Sequence, residues 1–396
     1  SVPMLECSPS DIPGISSSTT TYIMAPAAKL SRYGSRGMIN PAANIVKIAP
    51  IGSTAPDRNP QQPADVIDNT MEIYDNEVLI DVQTLNVDSA SFTEIVRRSC
   101  NGKKPADIEN SPEDQEKVKK TMMDIVAKAG KHKNPWTGSG GMLLGTVKEI
   151  GPAYVGDLKV GDKIATLVSL SLTPLKIDEI LEMRPSIDQV DIKGQAILFQ
   201  SGIYGIIPDD MPEGLALSAL DVAGAPAQAA KLCQSGQKIL VIGGGGKSGL
   251  LCLYEAKKRA GVTGLVVCAA GSQKSEDRAR NLDLAVEYFH MDATDAVGMY
   301  NKAMELTNGE LFDLVINCVN IENTEMASIL ACKDGGTVYF FSMATSFTKA
   351  ALGAEGVGKD VNMLIGNGYA KGHAAITLQD LREHEGLRKL FEEMYA

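Results

Sequence analysis

The segment that most constrains how this chain folds is Lys238-Ile-Leu-Val-Ile242, followed at once by Gly243-Gly-Gly-Gly-Lys-Ser-Gly249. A short apolar run rich in β-branched residues reads as a buried strand, and the apolar spacing from Leu250 to Arg259 reads as a helix. Between them Gly244, Gly246 and Gly249 satisfy G-x-G-x-x-G in its required setting. The first glycine permits the tight turn, the second lets backbone approach a pyrophosphate, and the third lets helix and strand pack closely. Amides at the helix start, around Lys247 and Ser248, then face the anion. The segment Gly243–Gly249 is therefore read as a site for NAD or NADP. Gly246-Lys247-Ser248 imitates the end of a triphosphate-binding loop, but that motif needs glycine where Val241 stands. A glycine turn without a ligand is the remaining alternative.

The rest of the second half keeps the same rhythm. Strands are expected at Leu265–Ala269, Asp313–Cys318, Thr337–Phe341 and Met363–Ile365. Helices are expected at Asp277–Leu284, Ala296–Leu306 and Glu325–Leu330. Short buried strands alternating with helices specify a doubly wound parallel sheet, the Rossmann type, with helices on both faces. The second strand ends in Ala269-Ala-Gly-Ser-Gln-Lys274 without an acid for the ribose hydroxyls. Ser272 and Lys274 could receive a 2′-phosphate there, so NAD and NADP both stay open. Asn317, Val319, Ser342 and Met343 stand just beyond strands, at the edge where such sheets bind ligands, and are candidate neighbours of the nicotinamide.

The first half reads differently. Ser1 to about Pro26 is rich in Ser, Thr and Pro, and Glu6 and Asp11 speak against a transit peptide. Residues 1–26 are read as a flexible extension. Apolar runs at Glu77–Asn86, Leu143–Ile150, Lys163–Leu170 and Asp188–Pro208 suggest a β-rich domain over residues 27–215. Within it, residues 103–133 look like a solvated helical insertion, opened by Ser111-Pro112 and stopped by Gly130. Residues 216–370 form the dinucleotide-binding domain. Leu378 to Met394 is an amphipathic closing helix within residues 371–396, expected to pack back on the first domain. Thr345–Asp360 reads as a long glycine-rich loop.

The net charge of -11 argues against nucleic acid or an anionic membrane as partner. No stretch has the apolar length of a membrane span. Seven cysteines, odd in number and scattered, read as reduced thiols in a cytoplasmic protein.

Several stretches together resemble a known group. Asn69–Ile73 with Glu77–Thr93, Thr137-Gly-Ser-Gly-Gly-Met142, Leu158–Asp162 and the turn at Gly244 follow in the order of the medium-chain dehydrogenase/reductase superfamily. Ile164–Asp178, Leu220–Gln228 and Tyr339–Asp360 resemble the L-erythro-3,5-diaminohexanoate dehydrogenase family of bacterial lysine fermentation. The resemblance runs from about Ala27 to the C-terminus. It implies a Rossmann domain beside a β-rich GroES-like catalytic domain, and a homodimer or homotetramer. It also implies NAD(P)-dependent oxidative deamination of a small zwitterionic diamino acid, giving 5-amino-3-oxohexanoate and ammonia.

Zinc members of the superfamily bind their metal through Cys and His. The corresponding positions here are Asp88, Ser139 and Asp221, a poor zinc donor set, so the resemblance implies a metal-free site. Asp88 and Asp221 would then hold the substrate ammoniums, and one would take the proton from the reacting amine. Ser89, Ser139 and Ser169 could supply hydrogen bonds. Lys349 could meet the substrate carboxylate, and Glu355 an ammonium. Asp88 as a turn acid and Asp221 as a helix cap are the competing structural roles. A zinc-free quinone or enone reductase and a non-catalytic dinucleotide sensor are the competing functions.

Overall fold

The first half folds as a sheet because its apolar residues recur at alternate positions and most of them can be buried on one side. The computed structural model describes residues 37–38, 66–342, 344–366 and 368–395; the extension expected at residues 1–26 and Met343 lie outside them. In chain order the first half contains β1 (Gly37–Met38), β2 (Val66–Ile67), β3 (Glu77–Val87), α1 (Ser89–Ser99), α2 (Pro112–Ala129) and β4 (Gly141–Ile150). Then follow β5 (Lys163–Thr166), β6 (Leu175–Arg184), β7 (Gln189–Phe199) and β8 (Tyr204–Ile206). Strands β3 to β8 form one antiparallel sheet in the order β6-β7-β3-β4-β5-β8. Val78, Ile80 and Val82 on β3 alternate into a core shared with Val190 and Ile192 of β7 and Leu143 of β4.

The solvated insertion expected at residues 103–133 is corrected. α2 buries Val118, Met122, Ile125 and Val126 against that same core. These positions recur at i, i+4, i+7 and i+8, an apolar stripe on an otherwise charged helix.

The second half contains α3 (Glu213–Leu220), α4 (Gly224–Leu232), β9 (Lys238–Ile242), α5 (Lys247–Ala260), β10 (Leu265–Ala270), α6 (Gln273–Asn281) and β11 (Glu287–His290). It continues with α7 (Ala296–Leu306), β12 (Phe312–Asn317), α8 (Glu325–Ala331), β13 (Cys332–Phe340), α9 (Phe347–Val357), β14 (Asn362–Ile365), α10 (His373–Glu383) and α11 (Glu385–Tyr395). Its six strands pair in the order β11-β10-β9-β12-β13-β14, all parallel. Counted from β9 this is 3-2-1-4-5-6, the order of a doubly wound dinucleotide-binding sheet. Ile239 and Val241 face one core, and Leu240 and Ile242 the other, so β9 is buried on both sides.

Two local readings change. The loop expected over Thr345–Asp360 is mostly helix α9, whose start is capped by the Ser346 hydroxyl accepting the Lys349 amide. The single closing helix is two, broken at His384. Its apolar residues Leu378, Leu381, Leu387 and Phe391 join the core that holds α3, α4 and α5.

Candidate active site

Strand register gathers the site. Val87 at the end of β3 pairs with Gly141 of β4, and its neighbour Asn86 pairs with Gln189 of β7. The next residues outward are Asp88, Gly140 with Ser139, and Asp188, so three segments distant in sequence deliver polar groups to one sheet end. Close approach there depends on Gly141, with φ +104, where a Cβ would lie 2.1 Å from the Asn86 carbonyl oxygen. The Val87 amide donates to the Asp188 carbonyl at 2.9 Å.

The acids at this end are conditioned by burial. Desolvation pushes the Asp88 carboxyl above its ordinary range; a hydrogen bond from Ser139 and the charge of Lys247 oppose this, while Asp221 reinforces it. Desolvation likewise pushes Asp188 up to about 6, against a Ser89 hydrogen bond and the Lys247 charge, with Asp221 and Asp88 adding to the rise. Asp221 arrives from the second half of the chain, at the C-terminal end of α3. Its carboxylate accepts a hydrogen bond from Lys247 Nζ at 2.7 Å.

That lysine is the first residue of α5, directly after the glycine turn. The turn lines a cleft of about 620 Å³ whose walls include Ile242, Gly243, Gly246, Cys318 and Val319. The cleft lies at the carboxyl ends of β9 and β12, where the strand order reverses, as expected for a dinucleotide. Gly249 is required for packing, because a Cβ there would sit 2.1 Å from the Gly243 carbonyl oxygen. Gly246 is not: the nearest atom to its Cβ position is 3.4 Å away, so the space beside it suits a ligand. The Arg278 guanidinium donates to the Gly245 carbonyl at 2.7 Å, which fixes the turn against α6.

Residues 53–208 match the L-erythro-3,5-diaminohexanoate dehydrogenase N-terminal domain. L-erythro-3,5-diaminohexanoate dehydrogenase from Acetoanaerobium sticklandii is 54% identical over 366 residues, which are 92% of this chain and 98% of that protein. The enzyme of the same description from Fusobacterium nucleatum is 52% identical over the same spans. The chain belongs to the L-erythro-3,5-diaminohexanoate dehydrogenase family. A solved alcohol dehydrogenase from Thermotoga maritima aligns over 81% of this chain and 85% of that one, with a TM-score of 0.49 and 14% identity.

In this member of the family the structure brings together Asp88, Asp221, Ser139 and Ser89, and adds Asp188, which sequence reasoning missed. No motif marks Asp188; its place follows only from the pairing of β3 with β7. Lys247, whose amide was read from sequence as a phosphate neighbour, has its ammonium on Asp221. Asp221 ends α3 rather than capping α4, whose first turn is preceded by Ala223.

Ser169 lies in the turn packed beside Gly140, with its hydroxyl 2.8 Å from that of Ser171. Glu355 and Lys349 are exposed on α9, and Lys349 donates to Asn323 at 2.7 Å. Ser272 and Lys274 are exposed, and the Ser272 hydroxyl accepts the Ser275 amide at the start of α6. Val319 lines the cleft. Asn317 is buried and its side-chain amide donates to Thr324 and Ser328, so it braces the strand end rather than facing a ligand. The Ser342 hydroxyl lies 3.3 Å from the Asn320 carboxamide oxygen and accepts the Ala344 amide.

Proposed function

We propose that this protein catalyses NAD(P)-dependent oxidative deamination of L-erythro-3,5-diaminohexanoate to 5-amino-3-oxohexanoate and ammonia, reversibly. The observation that carries the reading is identity of 54% across both domains to an enzyme of that description. The geometry supports it, since acids able to hold a cationic amine adjoin the glycine turn through the Lys247–Asp221 pair.

An ammonium has no lone pair to stabilise a developing iminium, so it must lose a proton first. Asp88 accepts that proton, and its half-buried setting favours both the cation and the transfer. The bound nicotinamide supplies the hydride acceptor at C3. Water then adds to the substrate iminium, ammonium leaves, and Asp88 returns its proton to solvent. Ser139 holds the Asp88 carboxylate through the cycle, and Asp221 fixes Lys247. Gly243, Gly244, Gly246 and Ser248 would hold the cofactor pyrophosphate, Gly249 would let α5 pack close behind them, and Val319 would line the nicotinamide end of the cleft. Ser272 and Lys274 are left at the rim of the ribose pocket.

The donor set does not fit zinc: Asp88, Asp221 and Ser139 offer no thiolate or imidazole, and an ammonium already occupies Asp221. No group of three or more His, Cys, Asp or Glu able to hold a metal occurs among the described residues. We assign two units, a catalytic domain over residues 27–215 and a cofactor domain over 216–370, in a cytoplasmic homodimer or homotetramer. Free cysteines among the described residues support the compartment. Exposed Met363 and Ile365 on the edge strand β14 support assembly. No helix among the described residues is long and apolar enough to cross a membrane.

The test is reduction of NAD and NADP with the diamino acid, set against oxidation of NADH and NADPH by quinones, using protein assayed for zinc. Diamine-dependent reduction without stoichiometric zinc is expected. Quinone turnover without amine turnover would replace this reading with a reductase.

A further inference from the structure

The three carboxylates of the site are not equivalent. Asp221 already carries a cation, because Lys247 Nζ lies 2.7 Å from its Oδ2. Asp88 and Asp188 are instead met by hydroxyls, from Ser139 and Ser89 respectively. Asp88 senses the negative charge of Asp221, and Asp188 that of both Asp221 and Asp88, with the Lys247 charge opposing in each case. Both are half-buried, and a carboxylate partly withdrawn from water without a counter-ion is costly. The site is thus built one positive charge short at two places.

A substrate with two ammonium groups supplies both. Resting on the function proposed above, in which the amines are on C3 and C5, we propose that Asp188 and Asp88 form a two-carboxylate clamp, each holding one ammonium of a 1,3-diamine. Asp188 is then the residue that makes the enzyme choose a diamine over a monoamine. Asp221, assigned from sequence as the second ammonium site, serves instead to fix Lys247 at the end of the glycine turn.

The backbone helps isolate the effect. Asp188 has φ +57, in the left-handed region, between the turn at Pro185–Ile187 and β7. Glycine and asparagine both tolerate that conformation, so Asp188→Gly and Asp188→Asn remove the charge without backbone strain.

The experiment measures calorimetric binding of 1,3-diaminopropane and propylamine to the protein saturated with NADH or NADPH. The diamine carries the substrate's nitrogen spacing and nothing else. Wild type is expected to prefer it by about tenfold or more, the scale of one charge-assisted hydrogen bond. Asp188→Asn and Asp188→Gly are expected to reduce the preference to about threefold or less and to raise KM for the diamino acid. Equal preference in wild type and both variants overturns the clamp, even if the diamino acid is oxidised. A diamine preference that depends on Asp188, in a protein that does not oxidise diaminohexanoate, keeps the clamp and removes the proposed reaction.

Discussion

At the scale of single residues, the site turns on which carboxylates are free. Asp88 was legible in the sequence because it closes a strand inside a stretch that resembles a known family. Asp188 was not, because its neighbours in space are Val87 and Ser89, brought to it only by sheet register. The side-chain partner of Lys247 was not legible, because nothing local reveals a carboxylate arriving from α3.

Two predictions belong here. Asp88→Asn keeps shape but cannot accept a proton, so kcat/KM for the diamine should fall about a hundredfold or more. NAD(P)H affinity should stay within about twofold; an Asp88→Asn protein with full activity would remove the base role. The second concerns pH. Burial pushes Asp188 up to about 6, with Asp88, Asp221 and Lys247 facing it, so it is neutral below that pH and charged above. Diamine binding needs the charge, so kcat/KM should decline as pH drops through about 6. In Asp188→Asn the limb should change to that of Asp88 alone, the proton acceptor whose carboxyl is also raised, and a profile identical to wild type would exclude Asp188 as a contributor.

At the scale of elements, the parallel half was legible because each strand is short, apolar and bounded by a helix. β11 escaped notice: Glu287-Tyr-Phe-His290 is an edge strand without a buried face. α2 was placed but misjudged, since its charges drew more attention than the stripe formed by Val118, Met122, Ile125 and Val126. The glycine turn separates packing from binding within one motif. Gly246→Val places a side chain where only a ligand would be met, so cofactor affinity should fall about tenfold or more with Tm little changed. Gly249→Ala drives a Cβ to 2.1 Å from backbone, so it should lower Tm clearly. Fluorescence titration and a thermal melt on each variant decide; reversal of the two patterns would discard the assignment.

At the scale of the whole molecule, the closing helices share a core with α3, α4 and α5 and with Met142 and Leu144 of β4. Asp380 on α10 is fully buried, and Glu255 on α5 is 1% exposed. Burial, then the neighbouring Glu255, pushes the Asp380 carboxyl well above the usual range, with Lys258 opposing and Glu383 adding to the rise. Its folded proton affinity therefore exceeds the unfolded one. Stability from this group is present at acid pH and is lost as pH rises through the raised value. Asp380→Asn should flatten that decline and raise Tm by about 2–5 °C near pH 8. Parallel Tm profiles for variant and wild type would show that the pair carries no such linkage.

The ion pair between Lys247 and Asp221 spans two binding events, because the lysine begins α5 at the glycine turn and the aspartate acts on the amine-binding acids. Whatever ratio bound dinucleotide imposes on amine affinity, bound amine must impose on dinucleotide affinity, since the four states close a thermodynamic cycle. Any coupling that this salt bridge carries therefore acts with equal size in both directions.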